Sequence, residues 1–255
     1  MAERAGVEAT AEYVAAALGR AAAVGVTAVI TVGDTLASAA WCVEAANEHP
    51  DVYAAVAVHP TEVTGLTDDG YQELERLAAD PRVVAIGETG LDYYWDRTSP
   101  PLQEEHFRRH IDLAKRTGLP LMIHDRDAHA GRPAGAARRG GARTGLCSTR
   151  SREIAAMART CVEHGWVLSF PGVVTFTNAP SLRAAAAATP LPHILLETDS
   201  PFLTPHPFRG RPNGPYLLPY TARAVAEATA TGIEELCAAV RANGKRIFGI
   251  NFASH

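Results

Sequence analysis

Short β-branched or apolar runs alternate with longer Ala- and Leu-rich amphipathic runs along most of the chain, and this alternation constrains the fold more than any other feature. Strands are expected over Thr27–Val32, Val52–Val58, Val83–Ile86, Leu119–Ile123, Trp166–Phe170 and His193–Leu196. Helices are expected over Thr10–Val24, Leu36–Asn47, Tyr71–Ala79, Leu102–Thr117, Glu153–His164, Ser181–Ala188, Tyr220–Ala230 and Ile233–Phe248. Some helix ends are punctuated. Pro101 stands in a first-turn position, Gly118 follows the same helix, and Thr231 with Glu234 spells a capping box for the last one. Near-continuously apolar strands imply a buried parallel sheet with helices outside it.

The 255 residues, 47% of them hydrophobic, suit a single α/β domain of the TIM-like (β/α)8 barrel type. The strand count falls short of the eight that close such a barrel. The chain opens directly on helix material. The stretch Ala130–Arg152, AGRPAGAARRGGARTGLCSTRSR, shows neither a strand nor a convincing helix. One or two strands are therefore expected to be missing or distorted, one at the N-terminus and one near residue 146.

A net charge of -4 leaves no general basic face of the kind that clamps long duplex DNA, so any nucleic-acid contact should be local. Cys42, Cys147, Cys161 and Cys237 are scattered without a CxxC pair, as expected of reduced thiols in a cytoplasmic protein. Met1–Thr10 lacks the apolar core of a signal peptide, and the stretch Tyr13–Val32 reads as helix then strand, not as a membrane span.

In a parallel barrel the strand C-termini face the active site. Four expected strands are followed there by chemically capable residues: His59-Pro60, Gly87-Glu88, His124-Asp125-Arg126 and Glu197-Thr198-Asp199. Carboxylate and imidazole donors converging on a barrel axis suit Mg, Mn or Zn. Taken singly, Glu88 reads more readily as a helix cap or a solvated charge, while His124 could be a core histidine bonded to backbone and Asp199 a turn residue before Pro201. Their shared placement favours a site.

The strings Ile86-Gly87-Glu88-Thr89-Gly90-Leu91-Asp92-Tyr93-Tyr94, Ile123-His124-Asp125-Arg126 and Glu197-Thr198-Asp199-Ser200-Pro201 resemble, in order and spacing, the signature segments of the TatD family of metal-dependent deoxyribonucleases. Val58-His59-Pro60, Thr204-Pro205-His206-Pro207 and Asn243-Gly244-Lys245-Arg246-Ile247-Phe248 extend the likeness over most of the chain. The resemblance implies a (β/α)8 barrel, two divalent metal ions and phosphodiester hydrolysis on DNA, at single strands or ends and in an exonucleolytic manner. It implies Glu88, His124 and Asp199 as metal ligands, Glu88 and Asp199 as catalytic carboxylates, and His59 and Arg126 as contacts to substrate phosphate.

The chain departs from the family pattern in two places. The His-x-His pair that ends the family's first strand is absent, and so is a His-bearing strand expected near Cys147–Ser151. A shifted reading frame is the expected reason for the irregular 130–152 segment. Written CTG TGT TCC ACG CGT TCT, Leu146–Ser151 becomes Val-Phe-His-Ala-Phe when the frame moves. Two other functions compete with the nuclease: a catalytically impaired barrel or scaffold with an incomplete metal site, and a related amidohydrolase acting on amide or ester bonds.

Overall fold

The computed structural model describes residues 11–128, 145–149 and 154–250. Among these residues, seven parallel strands form one sheet in strict chain order: β1 (Val29–Val32), β2 (Val52–Val56), β3 (Val83–Asp92), β4 (Leu121–Arg126), β5 (Gly145–Thr149), β6 (Val167–Phe170) and β7 (Ile194–Leu196). The described α-helices around it are α1 (Ala11–Ala22), α2 (Leu36–Glu48), α3 (Asp68–Ala78), α4 (Pro100–Thr117), α5 (Ile154–Glu163), α6 (Pro180–Ala188), α7 (Leu218–Ala228) and α8 (Ile233–Phe248). This is the TIM-like architecture expected from the alternation, with one departure. Among the described residues β1 and β7 are each paired on one side only, so the sheet is not closed.

The two expected gaps have different outcomes. No strand precedes β1 among the described residues. Near residue 146, where the local sequence shows no strand, a short one is present. Gly145–Thr149 pairs with β4, His124 beside Ser148, and with β6, Cys147 beside Leu168. The backbone ladder on both sides supplies what the local sequence does not advertise. The rest of the 130–152 segment lies outside the described residues, and with it the expected frame shift.

Local chemistry explains several helix ends. Thr35 caps α2, accepting from the Ser38 amide, while the Ser38 hydroxyl accepts from the Thr35 amide. Thr67 caps α3, and Asp68 and Asp69 in its first turn complement the helix dipole, so this helix starts before the expected Tyr71. Prolines open α4, and Gly118 closes it. The Thr231–Glu234 capping box does not form. Gly232 occupies the cap position of α8 without a side-chain bond, and the Thr231 hydroxyl donates to the Thr229 carbonyl instead.

Alternation along the strands sorts the core into two layers. Ala55, Ala85, Met122, Val167 and Leu195 point inward and meet Ile247 of α8. Ala54, Val56, Ile86, Leu121, Ile123 and Leu168 point outward, under α2, α3 and α4 residues such as Ala39, Leu74, Phe107 and Leu113. A cavity of about 1430 Å³ runs along the open side of the sheet. It is lined by Val29–Gly33, by residues 195–199, and by Val240, Gly244 and Phe248 of α8. No helix among the described residues is long and apolar enough to cross a membrane.

Candidate metal centre

The site begins with a flaw in the sheet. Along β3 and β4 the register runs Ile86 beside Leu121 and then Thr89 beside Ile123, so β3 carries one extra residue at Gly87-Glu88. Such a bulge re-aims a side chain. Glycine is required at Gly87 and Gly90, on either side of Glu88, because β4 passes so close. A Cβ on Gly87 would collide with Met122, and one on Gly90, whose φ is 146, would collide with the His124 carbonyl. Beyond the bulge both strands continue further than the sequence suggests, β3 to Asp92 and β4 to Arg126. Glu88 and His124 therefore sit inside the strands rather than on loops past them.

His124 lies between two carboxylates. Its Nδ1 is 3.2 Å from Glu88 Oε1 and its Nε2 is 3.0 Å from Asp92 Oδ2. Burial works against a charge on this ring, but Glu88 and Asp92 outweigh it and raise its pKa to about 9. His59 follows β2 and meets His124 edge to face, with ring centroids 4.4 Å apart. Its own pKa is pushed down to about 4, by burial first and then by the charge on His124. Its Nδ1 is 2.8 Å from the Thr61 hydroxyl. The Thr61 amide also donates to this nitrogen, at 3.3 Å.

His59, Glu88 and His124 each offer a ligand atom, and these atoms all lie within 4.8 Å of one another. Two imidazoles and a carboxylate at this separation fit a divalent transition-type ion. The structure thus brings together Glu88 and His124, as expected, and adds His59, for which the sequence suggested phosphate contact. Asp199 lines the same cavity on the turn after β7, where its carbonyl accepts from the Phe202 amide, but it lies outside this compact group. Arg126 also lines the cavity, with its guanidinium 3.8 Å above the centre of the Tyr94 ring.

Asp92 had no assigned role in the sequence reading, yet it is the best-anchored member of the site. It is 1% exposed. Burial would raise its pKa, but the hydrogen bond and charge of His124 and the amide of Trp95 hold it below the usual carboxylate value. Its Oδ1 accepts from the amides of Tyr94 and Trp95, and Gln103 of α4 grips its backbone, donating to its carbonyl and accepting from its N–H, both at 2.8 Å. The one sequence signal for it is parity: Glu88, Gly90 and Asp92 alternate along the end of β3 and so share a face.

Asp125, next to His124, has the parity of outward-facing Leu121 and Ile123. Neither of its oxygens has a side-chain hydrogen-bond partner among the described residues. Burial pushes its carboxyl up to about 6, against a weaker opposing pull from the Ala128 amide.

Residues 7–249 match the family described as TatD related DNase. The chain is 50% identical over 238 residues to a Mycobacterium tuberculosis protein named uncharacterized metal-dependent hydrolase TatD, covering 91% of this chain and 90% of that protein. It is 32% identical over 246 residues to a Cronobacter turicensis protein named 3'-5' ssDNA/RNA exonuclease TatD, covering 91% and 90%. The crystal structure of YjjV, a TatD homologue from Escherichia coli, superposes with a TM-score of 0.88 at 28% identity over 94% of this chain and 93% of that one. With a match spanning nearly the whole chain and a group of candidate metal-ligand atoms at the strand ends, the chain belongs to the TatD family of metal-dependent hydrolases.

Proposed function

We propose that this hydrolase cleaves phosphodiester bonds of single-stranded nucleic acid, DNA foremost, from an end. The observation that carries the reading is the pairing of the His59–Glu88–His124 group with Arg126 in one cavity. A cation-binding cluster beside a guanidinium without a carboxylate partner among the described residues suits a phosphodiester, whose planar-fork recognition by arginine is bidentate. The name of the Cronobacter turicensis relative supports the same substrate class.

Each residue has a role in this reading. His59, Glu88 and His124 hold a divalent ion, and Asp92 orients His124. Arg126 binds a non-bridging phosphate oxygen. Asp199, across the same cavity, accepts a proton from the attacking water. The ion, when bound, supplies positive charge that acidifies water and neutralises the phosphate.

The test is degradation of a labelled single-stranded oligonucleotide by protein stripped with EDTA and then supplied with Mg, Mn or Zn. Metal-dependent shortening is expected, with Glu88→Gln and Asp199→Asn each losing on the order of 100-fold or more in rate. Hydrolysis of amide substrates with nucleic acid left intact would move the assignment to an amidohydrolase.

A second reading, an impaired catalyst, has one observation in its favour. Among the described residues the compact ligand group numbers three and excludes Asp199, enough for one ion rather than the two the family resemblance implies. Metal stoichiometry by calorimetric titration separates them: one equivalent with slow turnover favours impairment, and two equivalents oppose it.

A further inference from the structure

We propose that Trp95, braced edge to face by Tyr94, forms a stacking platform for an unpaired nucleobase adjoining the phosphate at Arg126, so that the site reads strands by their exposed bases. The proposal rests on the nucleic-acid reading above and names the feature that selects single strands.

Tyr94 and Trp95 stand exposed side by side, at 54% and 46%, and Phe202, at 46%, lines the same cavity as Trp95, as do the exposed Tyr13, Val24 and Ile233. Trp95 and Phe202 line the cavity that holds His59, Glu88 and His124. Phe202 stands three residues past Asp199, on the turn that carries it. Leaving three aromatic rings in water beside a reactive cluster has no folding benefit. Clustered exposed apolar surface of this kind marks a binding site.

The rings are fixed rather than loose. Tyr94 and Trp95 meet edge to face, with centroids 5.0 Å apart and planes at 89°. Their turn is pinned by the Asp92 carboxylate, whose Oδ1 takes both their amides while Oδ2 takes His124 Nε2. One carboxylate therefore sets the distance from the platform to the metal cluster. Little ordering is left to be done when a ligand arrives.

Charge narrows the ligand class. Arg126 lies 3.8 Å over the Tyr94 ring and 5.6 Å from the Trp95 ring, and Arg97, which also pairs with Glu62, lies 5.5 Å from Trp95. A purely apolar ligand would leave Arg126 without a use. A nucleotide presents a flat ring and an anionic phosphate a few ångströms apart, matching aromatic faces beside a guanidinium. In a duplex the base faces are already stacked on their neighbours, whereas an unpaired base is free to transfer its stacking to protein.

The test compares two nuclease-resistant strands of equal length, a phosphorothioate oligothymidylate and the same backbone with every base replaced by an abasic analogue. Binding is read by fluorescence anisotropy in Mg, for wild type, Trp95→Ala and Trp95→Phe. Wild type is expected to favour the base-bearing strand by about tenfold or more. Trp95→Ala should weaken that strand by about five- to tenfold and leave the abasic strand unchanged, with Trp95→Phe restoring most of the loss. Equal weakening of both strands, or no weakening of either, would overturn the platform while leaving the nuclease reading in place. A wild type that neither binds nor degrades any strand overturns the nuclease reading and the platform with it.

Discussion

The His124 ring carries its proton because Glu88 and Asp92 stand on either side of it, and that proton must leave the ligand nitrogen before an ion can bind. Asp92 decides which nitrogen is freed. As a carboxylate it accepts from Nε2–H, leaving Nδ1 on the Glu88 side for the metal. Asp92→Asn can keep its carbonyl oxygen toward the Tyr94 and Trp95 amides, but its NH2 then points at Nε2 and favours the opposite tautomer. We expect Mn affinity by calorimetry to fall roughly 10- to 100-fold with the melting transition largely kept. Unchanged affinity would remove Asp92 from the site. At this scale the sequence was informative where polarity follows an apolar run, as at Glu88 and His124. It said little about Asp92, because that residue's importance lies in contacts with Gln103, Trp95 and His124 that no local pattern encodes. His59 was found by its position, but its closeness to His124 depends on how β2 and β4 are placed across β3.

Helix α4 reaches into the site through His110. This ring is fully buried, its Nδ1–H donates to the His106 carbonyl at 2.8 Å, and its Nε2 accepts the Val58 amide at 3.2 Å. Val58 precedes His59, so a helix side chain fixes the backbone of a candidate ligand just beyond the end of β2. The Tyr71 hydroxyl from α3 joins the same group. Burial pushes the His110 pKa down to about 4, below the 6.5 of an unrestrained histidine, so the unfolded chain takes up the proton first as pH falls. Its share of stability is complete above about pH 6.5 and is lost toward pH 4, by up to about 3 kcal/mol. His110→Gln keeps an acceptor for Val58 and does not titrate. Urea unfolding should therefore show wild type losing stability relative to the variant between about pH 6.5 and pH 4, and parallel profiles would refute this. Helices were legible in the sequence because amphipathic period and caps are local. The strand at Gly145–Thr149 was not, since it is defined by ladders to β4 and β6 that lie far off along the chain.

The molecule as a whole is acidic, at -4, and the cations nearest the cluster are few. Binding of a single strand should therefore release few counterions. We expect the logarithm of affinity to fall with the logarithm of salt concentration at a slope of about -1 to -2, set by two or three phosphates. A slope steeper than about -4 would point to a basic track outside the cavity. The order of the sheet has a consequence in time rather than in space. Every strand from β1 to β7 pairs with its immediate neighbours in the chain. A ribosome can thus add one strand after another to a growing edge, each finding its partner already made. Two early parts do wait for late ones: α1, whose Arg20 lies over the Tyr216 ring, and the strand interior, which Ile247 of α8, the last described helix, completes. Synthesis halted between two strands would leave a shorter sheet with its existing pairs intact. The cluster of His59, Glu88 and His124, carried on or just past strands two to four, would be assembled well before the chain is finished.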